Sequence, residues 1–161
     1  MKVYLDVDEV VCNFMAGLYK KYPEVKIDHN QSQYDLPDYI KWEELYKDPT
    51  FWLALPVLDR PTVKIAGYMS HRPFATYITE FWLHINQFSP AKVYHTKTSC
   101  QKAELLLSCN CDLYVDDKPQ TFYECTEVGL NTYLYTQPWN LHIKTDKRIN
   151  NLKELENLCV N

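Results

Sequence analysis

Two acidic pairs in the sequence have the residue types and the spacing for chemistry on an anionic substrate. Asp6 and Asp8 form a DxD at the end of a β-branched and aromatic run, and Asp116 and Asp117 close a second apolar run. Residues i and i+2 of an extended segment point to the same side, so we expect Asp6 and Asp8 to face one site. If the two runs are neighbouring strands, four carboxylates meet and repel each other unless a cation lies among them. A hard divalent ion with oxygen ligands, Mg²⁺, is therefore the predicted cofactor.

Each acidic pair also has a structural explanation when it is taken alone. An Asp at a strand end often caps the helix that follows, and two adjacent Asp residues are commonly just a turn. The presence of both pairs, each closing an apolar strand, favours a functional site at the carboxyl ends of the strands.

Three further side chains have the chemistry that a phosphate site needs. Ser70 has a hydroxyl that can donate to a phosphate oxygen, although it can equally cap the helix predicted at 74–88. Arg72 can support the phosphate or form a structural salt bridge. Lys102 lies early in a predicted helix, fourteen residues before Asp116. It could offset the charge of a nucleophile and a phosphate, although a helix lysine is more often solvated.

Strand-like and helix-like segments alternate along the chain and predict the elements that position these residues. The alternation indicates right-handed βαβ units, so we predict an α/β fold, a Rossmann-like parallel sheet core with helices on both faces. Ser99 is the expected N-cap of the helix that carries Lys102. The predicted strands cover 2–7, 63–69, 91–94, 112–115 and 131–135, and the predicted helices cover 12–22, 74–88, 99–108, a segment after Pro119, and 151–159.

The stretch from about 17 to 60 interrupts this alternation and is too long for a plain loop in a compact domain. We predict a small helical cap at 17–60, inserted after the first strand into a core domain formed by 1–16 and 61–161. This segment is rich in aromatic residues, and for any single one of them burial in the cap's own small core is the simpler explanation. Together they exceed what so small a core can bury, so we expect one or two rings to face the site. Stacking of such a ring on a nucleobase contributes about 1–3 kcal/mol. The cap aromatics are Tyr34, Tyr39, Trp42, Tyr46, Phe51 and Trp52.

Charge and hydropathy exclude several partner classes. The formal net charge is -4, and the basic residues are interspersed with acidic ones, so we expect no binding to long nucleic acid. No stretch approaches the ~18 apolar residues of a membrane span. The opening MKVYLDVDEVV has no long apolar region and no small-residue cleavage site, so a cytoplasmic location is expected. A homodimer is an arrangement that the sequence leaves open.

The residues quoted above resemble, in their order, the four motifs of haloacid dehalogenase-like phosphatases. The matching segments are DVDEVV at 6–11, Ser70 in SHRP, Lys102 in KAELL, and VDD at 115–117. The resemblance covers roughly residues 2–140. Lys97 could also supply the lysine of the third motif, but the helix position of Lys102 and its distance from Asp116 fit better.

Within that superfamily the chain is most similar to the 5'(3')-deoxyribonucleotidase-like family. The shared features are a DxDxVxxxF opening that ends at Phe14, a small helical cap after it, a TxRP-like second motif, and Pro138-Trp139-Asn140 after the last core strand. The chain departs from this pattern at Glu9, where a Gly is common, and at Ser70, which replaces the commoner Thr.

The resemblance implies a role for each residue. Asp6 would attack phosphorus and form an aspartyl-phosphate, and Asp8 would protonate the leaving alkoxide and then act as base on the hydrolytic water. Ser70 and Lys102 would hold the phosphate oxygens. The implied Mg²⁺ ligands are Asp6, the backbone carbonyl of Asp8, and Asp117, which Asp116 supports. The implied substrate-binding residues are Ser70, Arg72, Phe14, Trp42 and Trp52.

The sequence thus predicts a phosphoric monoester hydrolase. It would be a Mg²⁺-dependent 5'-nucleotidase that dephosphorylates (deoxy)nucleoside monophosphates, with deoxynucleotides only weakly favoured over ribonucleotides. Two alternatives remain: a phosphatase of the same fold that acts on another small phosphorylated metabolite or a nucleic-acid 3'-end, and a catalytically idle binding module. The presence of Asp6 argues against the idle module.

Overall fold

The structure is a computed structural model that describes residues 1–24, 40–72 and 76–160. The described strands are β1 (Val3–Asp6), β2 (Ile65–Ser70), β3 (Lys92–His95), β4 (Leu113–Asp116), β5 (Thr132–Tyr135) and β6 (Arg148–Ile149). The described helices are α1 (Phe14–Lys21), α2 (Trp42–Tyr46), α3 (Pro49–Leu53), α4 (Thr76–Ile85), α5 (Ser99–Ser108), α6 (Pro119–Glu127) and α7 (Leu155–Cys159), with 3₁₀ turns at Pro138–Asn140 and Leu152–Glu154. None of these helices combines the length and the apolar character that crossing a bilayer requires.

The six strands form one parallel sheet in the order β3-β2-β1-β4-β5-β6, which confirms the predicted α/β, Rossmann-like fold class. The five predicted strands lie within two residues of the observed ones. The short strand β6 was not predicted, because two residues carry no recognisable alternation. Since β1 is flanked by β2 and β4, the residues that follow these three strands come together at one edge of the sheet.

The sheet is buried on both faces, which is why its strands are nearly continuous apolar runs. On one face, Leu5 of β1 packs in a cluster with residues of α1, α4 and α7. On the other face, Tyr4 of β1 and Tyr114 of β4 pack against Leu106 of α5. Successive strand residues alternate between these faces, so Asp6 falls on the Tyr4 side, under α5.

The described part of the predicted cap packs against the core cluster that contains β1. Leu45, Phe51 and Trp52 are all buried in that cluster, and the Trp52 Nε1 donates to the Leu45 carbonyl at 2.9 Å. Tyr34 and Tyr39 lie outside the described residues. The division into a core domain and a cap at 17–60 therefore stays a prediction.

The N-cap of helix α5 lies one residue before the predicted one. The side chain of Thr98, in an extended conformation, accepts from the Gln101 amide, whereas Ser99 is the first helical residue. The Ser99 hydroxyl instead contacts the Thr121 hydroxyl of α6 at 3.0 Å. The expected cap at Ser99 was wrong because two adjacent hydroxyl residues offer the same capping chemistry, and sequence alone does not fix the helix phase.

Candidate active site

One buried ammonium group lies between the carboxylates that end two neighbouring strands. The Lys102 Nζ donates to Asp6 Oδ1 at 2.5 Å and to Asp116 Oδ2 at 2.9 Å. The Lys102 side chain is 1% exposed and that of Asp116 is 0% exposed, so the group is shielded from water. Lys102 reaches these strands because it lies on the buried side of α5, beside Ala103 and Leu106.

The two carboxyl groups that accept hydrogen bonds from Lys102 have pKa values shifted in opposite directions. Burial raises the pKa of Asp6 to about 7, although the charge of Lys102 opposes the shift. Burial alone would raise the pKa of Asp116, but the charge of Lys102 and a hydrogen bond from Tyr114 outweigh it and lower that pKa. The Tyr114 hydroxyl lies two residues back on the same face of β4 and donates to Asp116 Oδ2 at 2.5 Å. Asp116 accepts hydrogen bonds from Tyr114 and from the Lys118 amide in addition to Lys102, so its charge is better stabilised than that of Asp6.

Asp117 completes an acidic group that suits a divalent cation. Carboxylate oxygens of Asp6, Asp116 and Asp117 all lie within 4.8 Å of one another, and all three residues are buried. Burial, and then the charges on Asp116 and Asp6, raise the pKa of Asp117 well above its usual range. Closely spaced oxygens on buried carboxylates are the ligand set that Mg²⁺ prefers, so these residues fit the predicted ion. We call Lys102, Asp6, Asp116 and Asp117 the lysine cluster.

Asp8 lies beside this cluster but has a different cationic partner. Arg72 holds it with two hydrogen bonds, from Nε to Oδ2 at 3.2 Å and from Nη2 to Oδ1 at 2.7 Å. Because β1 ends at Asp6, Asp8 lies in the following loop and the alternation of an extended strand does not fix its direction. The sequence argument that Asp6 and Asp8 face one site assumed that both lie on one extended strand. The observed strand ends at Asp6, so that argument does not apply to Asp8. We call Asp8 and Arg72 the arginine cluster.

The remaining contacts of Arg72 are also internal. Its Nη1 donates to the Thr79 hydroxyl at 3.2 Å, and its Nη2 contacts the Cys12 sulfur at 3.3 Å. The guanidinium carbon lies 4.9 Å from the centre of the Trp52 ring. Of the two sequence alternatives for Arg72, the structure shows the salt bridge. Contact between Arg72 and substrate phosphate stays a prediction.

Ser70 and His71 line the end of β2 next to the two clusters. Asp6 pairs in register with Met69, so Ser70 lies one residue beyond the nucleophile candidate on the neighbouring strand. Ser70 is buried, and its hydroxyl accepts from the Arg72 amide at 3.2 Å. Burial, followed by the charge on Lys102, lowers the pKa of His71 to about 4, so its imidazole is neutral at pH 7. Sequence reasoning had assigned no role to His71.

The predicted aromatic contacts to substrate are largely packing contacts within the described residues. Phe14 and Trp52 are each 2% exposed, with ring centres 5.6 Å apart in a stacked arrangement. Trp42 is half-buried and stacks on Phe14 at 6.2 Å and on Tyr46 at 5.6 Å. Of the three predicted rings, Trp42 is the most open to solvent. Their contact with substrate stays a prediction.

Three residues that sequence reasoning left without a site contact lie against the acidic groups. Glu9 has a positive φ of 61°, and its buried carboxylate accepts from the Met15 amide at 2.7 Å. Burial raises the pKa of Glu9 to about 8. The Trp139 Nε1 donates to Asp117 Oδ2 at 3.1 Å, and the Asn140 side chain donates to the Asp117 carbonyl at 2.8 Å. The Pro-Trp-Asn motif was the available signal for the last two residues.

Comparison with known proteins finds similarity in structure only. No family model matches the sequence, and no curated protein does. Among solved structures, the chain is similar to the crystal structure of the UTR4 protein (unknown transcript 4 protein) of Saccharomyces cerevisiae, with a TM-score of 0.51 and 13% identity. The alignment covers 93% of this chain and 97% of that one. At this identity the likeness shows a shared α/β fold over nearly the whole chain.

Proposed function

We propose that this protein is a Mg²⁺-dependent phosphomonoesterase of the haloacid dehalogenase-like type, with Asp6 as its nucleophile. The lysine cluster carries the proposal: three buried carboxylates lie together at the carboxyl ends of adjacent strands, and the ammonium group of Lys102 donates to two of them, Asp6 and Asp116. Buried like charges at this spacing are costly unless a ligand offsets them, and ligands of open α/β sheets bind at this edge. A cation together with a phosphate monoester satisfies both conditions.

The proposed first step is transfer of the phosphoryl group to Asp6. A carboxylate oxygen of Asp6 forms a bond to phosphorus while the ester P–O bond breaks, and the leaving oxygen takes a proton from Asp8. In the second step, Asp8 takes a proton from a water molecule that attacks phosphorus. The Asp6–phosphorus bond breaks, which returns the Asp6 carboxylate and releases inorganic phosphate.

Ser70 and Lys102 supply the groups that would hold the phosphate oxygens. Ser70 ends β2, the strand next to the one that ends in Asp6, and its hydroxyl can donate to a phosphate oxygen. Lys102 is already charged and oriented by Asp116, so little rearrangement is needed for its ammonium to face a phosphate bound at Asp6. Preorganised donors of this kind typically contribute about 10²–10³ in kcat each.

Asp6, Asp117 and the backbone carbonyl of Asp8 are the proposed ligands of Mg²⁺, with Asp116 close enough to join or support them. When bound, the ion neutralises charge on the transferring group and orients it. Trp139 and Asn140 hold Asp117 in place from both its side chain and its carbonyl.

We further propose that the substrate is a nucleoside monophosphate. The support is the family resemblance, together with the aromatic segment that precedes β2, in which the Trp42 ring is only half-buried. The net charge of -4, with basic residues interspersed among acidic ones in the sequence, suits a small phosphorylated substrate better than a long nucleic acid.

A hydrolysis panel tests both levels of the proposal. Phosphate release would be measured with Mg²⁺ and with a chelator for deoxyribonucleoside 5'-monophosphates, ribonucleoside 5'-monophosphates, sugar phosphates and a 3'-phosphorylated oligonucleotide. We expect Mg²⁺-dependent release, with the highest kcat/KM for the nucleoside monophosphates. A higher kcat/KM for sugar phosphates or the oligonucleotide would refute the nucleotidase assignment but keep the phosphatase. Full activity in the chelator, or none on any ester, would refute the phosphatase itself.

A further inference from the structure

We propose that Arg72, backed by Trp52 and Thr79, is a positioning residue that fixes the carboxyl group of Asp8 for proton transfer to the leaving group. The inference rests on the proposed phosphatase function and assigns Arg72 and Trp52 a task other than contact with substrate. It is carried by the geometry of the arginine cluster and by its burial.

The Arg72 guanidinium group binds the Asp8 carboxylate in a bidentate geometry. Nε and Nη2 each donate to a different oxygen of Asp8, so the plane of the carboxylate is fixed as well as its distance. The Asp8 side chain is 11% exposed, against 1% for Arg72, so the carboxylate forms the outer part of the pair. Each carboxylate oxygen retains a further lone pair, which leaves Asp8 able to exchange a proton with a substrate while Arg72 holds it.

Arg72 is itself fixed from other directions. Trp52 lies against the guanidinium group at 4.9 Å, and Thr79 of α4 accepts from Nη1 at 3.2 Å. Trp52 is held in turn by its own hydrogen bond to the Leu45 carbonyl. The Arg72 side chain has many rotatable bonds, so without these contacts its guanidinium group could adopt several orientations. The contacts fix that orientation and therefore the direction of the Asp8 carboxylate.

The same contacts argue against a direct role for Arg72 on the phosphate. The Nε and both Nη atoms already donate to internal acceptors, and the side chain is almost fully buried. Moving the guanidinium to a phosphate would leave the Asp8 carboxylate buried without its partner, which is expensive. Lys102, by contrast, lies directly against the nucleophile.

This role has a chemical signature. An alkoxide such as the 5'-oxygen of a nucleoside is a poor leaving group and needs the proton from Asp8 as the ester bond breaks. A p-nitrophenolate ion is stable without a proton and leaves without it. A defect in the position of Asp8 should therefore slow hydrolysis of alkyl phosphates far more than hydrolysis of p-nitrophenyl phosphate. A general structural defect should slow both equally.

The test compares kcat and KM on thymidine 5'-monophosphate, or the best alkyl phosphate of the panel, with those on p-nitrophenyl phosphate. For Arg72→Lys we expect kcat on the alkyl ester to fall about 100-fold, within the range of general acid catalysis, with a change below about tenfold on the aryl ester. KM should change little for either substrate. Asp8→Asn should show the same selectivity, and the double variant should be no worse than Asp8→Asn alone.

Arg60→Lys is the matched control. Arg60 also stacks on an aromatic ring, Phe88, at 5.0 Å and bonds to a backbone carbonyl, but it contacts no residue of either cluster. Its variant should hydrolyse both esters as the wild type does. Thr79→Val keeps the volume of the side chain but removes the acceptor for Arg72, and Trp52→Phe keeps an aromatic ring but removes part of the surface against the guanidinium group and the N–H donor to Leu45. Both should show a smaller, several-fold loss confined to the alkyl ester. They test the inference if Arg72→Lys does not fold.

Equal losses on both esters in these variants would show a purely structural role and overturn the inference. A rise in KM alone for Arg72→Lys would place the guanidinium on the phosphate and overturn it too. Failure of the wild type on both esters would instead refute the proposed phosphatase, so the two failures are distinguishable.

Discussion

The lysine cluster and the arginine cluster lie side by side at the carboxyl ends of β1, β2 and β4 but differ in charge balance. In the arginine cluster, one guanidinium group meets one carboxylate, with further internal contacts from Thr79 and Trp52. In the lysine cluster, three carboxylates meet one ammonium group. Burial, and after it the neighbouring negative charges, raise the pKa values of Asp6 and Asp117. A balanced pair can hold a side chain in place, whereas an unbalanced group is built for a charged ligand.

The largest effect should come from removing the nucleophile from the unbalanced cluster. Asp6→Asn should abolish turnover, because an amide is nearly isosteric with the carboxylate but cannot form the aspartyl-phosphate. The fold should survive, since the change removes one of several mutually repelling charges. Phosphate release under saturating substrate and Mg²⁺ gives the activity, and a thermal melt gives the stability.

Asn131→Asp, a conservative exchange of the same two residue types in the loop before β5, serves as the control and should retain wild-type turnover. An Asp6→Asn variant that keeps more than a few per cent of activity would rule out the aspartyl-phosphate route. The lysine cluster would then no longer differ from the arginine cluster by its chemistry.

The next largest effect distinguishes Lys102 from Lys97, since the sequence allows either one to be the catalytic lysine. Lys102→Ala should lower kcat about 10²–10³-fold, because it removes the ammonium group that donates to both Asp6 and Asp116. Lys97 is exposed, and its backbone amide bonds to the Gln101 side chain. Lys97→Ala should therefore stay within about twofold of the wild type. The opposite ranking in a kcat comparison would assign the catalytic lysine to Lys97.

The smallest effect is on stability, and it depends on pH. In the metal-free protein, burial raises the pKa of Asp6 to about 7 and that of Glu9 to about 8, whereas both carboxyls release their protons at about pH 4 in an unfolded chain. Above that pH the folded state binds more protons, so its stability falls as pH rises through the folded values. His71 acts in the opposite direction, but only below about pH 6.5, its unfolded pKa.

We therefore expect the Tm of the metal-free protein to fall by several degrees between about pH 6.5 and 8.5. Added Mg²⁺ should raise the Tm, and more so at the upper end of this range, because the ion binds the deprotonated cluster. Thermal melts with Mg²⁺ and with a chelator measure both effects. A Tm that rises with pH in the chelator would mean that Asp6 and Glu9 do not hold extra protons in the folded state, and the contrast between the two clusters would lose this support.

The parts of the site that the sequence predicts are those with local signals. Apolar runs that end in acidic residues identify β1 and β4, and the alternation of elements places them in one parallel sheet. The helix position of Lys102 and its distance from Asp116 favour it over Lys97, and the buried face of α5 that includes Ala103 and Leu106 explains why it reaches the strands.

The parts that the sequence does not predict depend on contacts between distant segments. A guanidinium group suits a phosphate and a carboxylate equally well, so the sequence left Arg72 open between substrate and salt bridge. The aromatic residues before β2 predicted a ring-rich surface, yet the burial of Trp52 follows from its packing on Phe14 and Arg72. The Glu at position 9 does not itself predict a left-handed backbone, although the Gly that is common there in the resembled family is consistent with the positive φ that the tight loop after β1 imposes.

The central place of β1 has a consequence for the order in which the site assembles. Val3 pairs with Ile65 on one side and with Leu113 on the other, so the strand that ends in the nucleophile has no sheet neighbour close to it in sequence. Such distant pairings must close long loops, which slows folding. At a rate of synthesis of about 5–20 residues per second, the ribosome completes β4 several seconds after β1. Asp6 therefore acquires its buried, charged surroundings only late in folding, when Lys102 and Asp116 arrive together.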